Sequence, residues 1–113
     1  MSKSYKTINQ EQRQLSMAYQ KESTEVMDAF MTLHKAAIKE GALSIKQKEL
    51  IALGIAIAAR CDGCIAAHVA DSLKAGAKRE ELVEAIDVAI LMGGGPSMIY
   101  GTQALAAVTE LTE

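Results

Sequence analysis

Apolar side chains recur at helical spacing along most of the chain, and glycines or hydroxyl residues interrupt them. A short helix is expected from Glu11 to Gln20, where Leu15 and Tyr19 are four apart. Residues 1–8 are polar and are expected to be mobile. Ser23-Thr24 can cap a second helix, whose stripe is Val26, Phe30, Leu33 and Ala37, with Met27, His34 and Ile38 beside it. Gly41 is expected to end it.

Ser44-Ile45-Lys46-Gln47 fits a capping box for a third helix running to about Arg60. Beyond Glu49 that helix reads Leu-Ile-Ala-Leu-Gly-Ile-Ala-Ile-Ala-Ala, with no polar face. Such a helix is normally buried on several sides, which a chain this short achieves with difficulty alone. Association of several copies is therefore expected. Cys61-Asp62-Gly63-Cys64 turns the chain into a fourth helix, roughly 62–75, stopped by Gly76. Arg79-Glu80-Glu81 opens a fifth, with Leu82, Ile86, Ala89 and Ile90 at helical spacing. Gly93-Gly94-Gly95-Pro96 breaks it and starts a sixth, running to about Thr109.

Composition narrows the fold class. The 113 residues suit one domain, 1–113. Half are hydrophobic but only 4% are aromatic, so the core must come from Ala, Leu, Ile, Val and Met. These favour close-packed helices, and no strand pattern or internal repeat is visible, so an all-α fold is expected. The net charge is -2, with no basic stripe, which argues against nucleic acid. The N-terminal residues lack the apolar core of a signal peptide. The longest apolar run, Leu50–Ala59, falls well short of the roughly 20 residues that span a bilayer. A cytoplasmic protein with no membrane partner is the expectation. The triple glycine lacks the Lys and Ser/Thr of a P-loop and the strand of a dinucleotide fold, so it reads as a helix break.

The candidate chemistry is concentrated in one segment. Cys61 and Cys64 are the only cysteines, in a CxxC at a helix start. The positive end of a helix stabilises a thiolate, and Gly63 lets the turn close. His68 lies one helical turn after Cys64, so it can serve Cys64 more directly than Cys61. Cys64 is therefore the candidate nucleophile and Cys61 the resolving thiol. Glu49 is the one acid amid apolar residues. In a strictly antiparallel helix pair it would lie roughly 7 Å in height from His68, a gap that side chains and one water could bridge. The bland readings are a solvated helix-start acid, a satisfied core histidine and small apolar fillers. Zinc would need more ligands than Cys61, Cys64 and His68 supply for a structural site. No resident metal or cofactor is expected. His34 reads as structural, with pocket lining the alternative.

Glu49, eleven residues, Cys61-x-x-Cys64, three residues and His68 resemble the motif of the alkylhydroperoxidase D branch of the carboxymuconolactone decarboxylase-like superfamily. The flanks are similar too: Lys74-Ala75-Gly76-Ala77 with Arg79-Glu80-Glu81-Leu82, and Met92-Gly93-Gly94-Gly95-Pro96. The resemblance spans about residues 24–108. It implies an all-α core assembled as hexamers or trimers, and thiol-dependent peroxide reduction. By position, Cys64 attacks peroxide, Cys61 resolves, and His68 and Glu49 relay the proton. An external dithiol must then reduce the disulfide. Two departures stand out: the chain is a core module, shorter than full-length alkylhydroperoxidase, and Gly63 stands where some members carry histidine. The rival readings are a disulfide oxidoreductase without peroxide specificity, a non-redox decarboxylase-like protein, and a purely structural oligomer. The decarboxylase branch lacks the CxxC.

Overall fold

The computed structural model describes residues 3–113, which form six helices and, among those residues, no strand. They are α1 (Tyr5–Glu22), α2 (Thr24–Ile38), α3 (Ile45–Ala58), α4 (Asp62–Lys74), α5 (Arg79–Gly93) and α6 (Gly95–Thr112). The all-α reading of the sequence holds. No described helix is long and apolar enough to cross a membrane.

The packed body is α3, α4, α5 and α6, with the first turns of α1 laid against α4 and α6. Its core is aliphatic and small, as the composition required: Leu53, Ile57, Ile65, Val69, Leu82 and Val108 are fully buried. Small residues set the helix spacing. A Cβ on Gly101 would lie 2.8 Å from Ile86 Cγ2, so α6 approaches α5 as closely as only glycine allows. The break between these helices falls at Gly94, whose φ of 71° lies in the left-handed region.

Local signals explain most boundaries. Ser44 Oγ accepts from Gln47 N–H at 3.0 Å and Gln47 Oε1 accepts from Ser44 N–H at 2.8 Å, the expected capping box. Two boundaries arise differently from expectation. Ser23 separates α1 from α2 but its hydroxyl makes no capping bond. Thr24 Oγ1 donates back to Gln20 O at 2.8 Å instead. Nor does Gly41 close α2. The helix stops at Ile38, and Lys48 Nζ donates to Ala37 O at 2.9 Å and Lys39 O at 2.7 Å. A lysine from α3 thus satisfies the orphan carbonyls.

The segment expected to be mobile is placed differently. Met1 and Ser2 lie outside the described residues, but α1 already begins at Tyr5, which is only 2% exposed. Ser4 supplies the N-cap, accepting from Thr7 N–H. Its hydroxyl also donates to Glu110 Oε2 at 2.5 Å, and Lys6 N–H donates to Glu110 Oε1 at 3.1 Å. The Ser4 bond, then the Lys6 bond, hold the Glu110 carboxyl below its ordinary value. These anchors lie about 100 residues away in sequence, so local polarity could not reveal them.

The apolar third helix is only half covered. Leu53 and Ile57 point into the core, whereas Ile51 and Ile55 are exposed. With Gly54, Ala85 and Val88 they line an apolar cleft of about 620 Å³ between α3 and α5. The α2 helix buries none of its residues, leaving Val26, Phe30 and Leu33 exposed.

Candidate redox site

The site forms where α3 and α4 meet. Residues 59–61 connect them, and Arg60 adopts a left-handed φ of 58° that non-glycine residues seldom take. The turn delivers Cys61 to the N-cap of α4 and Cys64 to its first turn. Their Cα atoms are 5.2 Å apart and the sulfurs are joined in a disulfide. Cys61 Sγ accepts from Cys64 N–H at 3.2 Å, so this sulfur takes the capping place usually held by a hydroxyl or carboxylate. Cys64 is exposed and Cys61 half-buried.

Glu49 sits in the first turns of α3 and is only 4% exposed. A carboxylate so far from water requires a partner. His68, one turn after Cys64 on α4, supplies it: His68 Nδ1 and Glu49 Oε1 are 2.7 Å apart. The two side chains therefore bridge the expected height difference directly, and no water is needed between them. With Nδ1 engaged by the carboxylate, Nε2 is the ring nitrogen left for a further proton partner. The carboxylate fixes both ring orientation and tautomer, as an orienting acid does in other histidine-based sites.

The four sequence candidates thus share one region, reached from two helices. His34, half-buried on α2, takes no part in the Glu49 pair. One neighbour escaped the sequence reading: Asp71, three residues after His68 and so on the same face of α4. The ligand atoms of Glu49, His68 and Asp71 lie within 4.8 Å of one another. That donor set could in principle accept a divalent cation. Glu49 Oε1 and His68 Nδ1, however, are already spent on each other. A second cleft, of about 720 Å³, is lined by Glu49, Asp71, Lys46 and Lys74 but not by the cysteines. Glu49 borders this cleft but stays almost fully buried.

Comparison with known proteins identifies the family and the fold. The model of the carboxymuconolactone decarboxylase family matches residues 24–109, which include every site residue named above. The chain belongs to the carboxymuconolactone decarboxylase family. A Legionella pneumophila member of the family, solved in its apo form, superposes with a TM-score of 0.94 at 41% identity, covering 96% of this chain and 97% of that one. A Thermotoga maritima family member, for which a part in the antioxidative response has been suggested, gives 0.71 at 34% identity over 75% and 88%. An uncharacterized Cupriavidus necator protein is 42% identical over 80 residues, 71% of each chain.

The Glu49–His68 pair makes a testable demand. Glu49→Gln should keep the helical fold, because the amide is isosteric, but remove the charged acceptor that orients the His68 ring. In the reduced protein, thiol alkylation at neutral pH should slow several-fold and its profile should move to higher pH. An unchanged profile would reduce Glu49 to a buried acid with a purely structural partner.

Proposed function

We propose that the protein is a thiol-dependent peroxidase of the alkylhydroperoxidase D type. The observation that carries the reading is a CxxC pair close enough to form a disulfide, on the same helix as a histidine whose Nδ1 is bonded to a buried carboxylate. A structural disulfide would need neither the histidine nor the acid. The antioxidative role suggested for the Thermotoga relative adds support.

In the proposed cycle the protein starts as a dithiol. His68, held by Glu49, takes the proton of Cys64, and the helix N-terminus favours the resulting thiolate. The thiolate attacks the nearer oxygen of a hydroperoxide. The O–O bond breaks, and the alkoxide leaves as an alcohol with the proton returned from His68. Cys64 is now a sulfenic acid. The Cys61 thiol attacks that sulfur, water departs, and the disulfide forms. Two thiols have been oxidised and one peroxide reduced to alcohol and water. An external dithiol, exchanging through a mixed disulfide, restores the starting state. No resident metal or cofactor enters the cycle. The exposure of Cys64 and the half-burial of Cys61 suit their roles as attacking and resolving thiols.

One observation favours a second reading. The hydrogen bond from Cys64 N–H to Cys61 Sγ would stabilise a thiolate on Cys61. A disulfide oxidoreductase would use that sulfur first. Steady-state peroxide consumption with a dithiol separates the two. Cys64→Ser should abolish consumption, and Cys61→Ser should permit one oxidation per chain without turnover. Equal single-turnover loss in both variants, with fast exchange against a model disulfide in the wild type, would favour the oxidoreductase.

The working unit is proposed to be a homo-oligomer, a hexamer ahead of a trimer, in the cytoplasm. Exposed apolar surface supports association, while the hexamer number rests on the family resemblance alone. Ile51, Ile55, Val88 and Met92 on α3 and α5, and Val26, Phe30 and Leu33 on α2, are all more than half exposed in the isolated chain. Soluble monomers rarely leave such contiguous patches in water. Light scattering at low micromolar concentration should give a mass several times the 12.1 kDa of the chain. A stable folded monomer would contradict it.

A further inference from the structure

Asp62 stands between the two cysteines in sequence and is the first residue of α4. An acid there complements the helix dipole but opposes a thiolate on either neighbour, because like charges disfavour each other's formation. Its carboxylate is not left to water. Tyr5 Oη donates to Asp62 Oδ1 at 2.8 Å and Lys3 Nζ donates to the same oxygen at 3.2 Å. Both donors come from the start of the chain, 57 and 59 residues away.

The two donors are themselves held. Lys3 Nζ also donates to Gln103 Oε1 on α6 at 2.6 Å, and Tyr5 Oη lies 3.0 Å from that oxygen. The phenol has one proton, and the charged carboxylate at the shorter distance is the better acceptor. The Lys3 ammonium lies 5.5 Å from the ring centroids of both Tyr5 and Tyr100. Burial first, then the bond to Asp62 and its charge, then Tyr100, push the Tyr5 phenol far above its ordinary value. Tyr5 therefore stays a neutral donor wherever the thiols titrate.

We propose that Tyr5 and Lys3 are positioning residues of the redox turn, holding the Asp62 carboxylate on a phenol and an ammonium so that its charge does not oppose the neighbouring thiolate. Neither touches the reacting atoms; both act through Asp62. The N-terminal residues thus form a strap from α6 across the start of α4, and the strap sets thiol reactivity as well as packing. The inference rests on reading Cys61 and Cys64 as a redox pair. It does not need peroxide to be the substrate.

The test is thiol alkylation against pH on the reduced full-length protein, which reads thiolate formation without any turnover. Tyr5→Phe should retain the helical circular dichroism and raise the midpoint of the more reactive thiol by about 0.5 pH unit, a roughly threefold slower reaction below the midpoint. Lys3→Met, at a half-buried position, should shift it in the same direction and decides the matter if Tyr5→Phe fails to fold. In an Asp62→Asn background the Tyr5→Phe shift should vanish, since there is no charge left to hold, whereas Lys3→Met should keep only the smaller part that its own ammonium exerts on the thiolate. Unmoved midpoints in both single variants would overturn the proposal. So would a Tyr5→Phe shift that persists without Asp62, because it would then arise from altered packing. Abolished peroxide turnover in Cys64→Ser bears on the function proposed above and leaves this result intact.

Discussion

The need to pair one buried carboxylate governs the candidate site of this protein. Glu49 is removed from water by the packing of α3 against the body, and an unpaired acid at that depth would be costly. His68 meets it at 2.7 Å. That single bond ties α3 to α4 and selects the ring nitrogen left for a second proton partner on a histidine one turn from Cys64. Removing either partner strands the other, so structure and chemistry depend on the same contact. The capping box at Ser44 matters for the same reason. It fixes where α3 begins, and hence the height at which Glu49 enters.

A second polar constraint surrounds the cysteines themselves. The helix start that favours a thiolate also carries Asp62, whose charge works against it. The fold answers this with Tyr5, Lys3 and Gln103, drawn from the two ends of the described chain. Glu110 holds the same strap through Ser4 and the Lys6 amide. The CxxC turn is thus bounded on one side by the Glu49–His68 pair and on another by the Asp62 cluster. Both are set by side chains that are distant in sequence but adjacent in space.

What could be read from the chain alone follows from the range of the forces involved. Helix positions depended on local signals, and Ser44-x-x-Gln47, Gly94 and the stripe through Leu82 and Ile86 placed α3, α5 and α6 closely. The CxxC and the histidine one turn later are also local, so their shared position was legible. The Glu49–His68 contact was expected, with a water as a possible bridge, but rise per residue could not show that the two side chains meet directly. Asp71 was missed although its spacing from His68 carried the signal. The role of residues 3–8 was not legible at all. Their polarity resembles that of a free terminus, and only the tertiary partners Asp62, Gln103 and Glu110 show otherwise. The end of α2 was misassigned to Gly41 for a similar reason: its cap is a lysine from the next helix.

The central claim is that the histidine–carboxylate pair serves Cys64 as the peroxide-attacking thiol. The most direct measurement is mass spectrometry of the reduced Cys61→Ser protein after one equivalent of an organic hydroperoxide, with a reagent that traps sulfenic acid. The account predicts a trapped adduct on the peptide carrying Cys64, formed in wild-type Glu49 and His68 backgrounds and strongly reduced in Glu49→Gln. A Cys64 that remains a free thiol while the peroxide persists would contradict it.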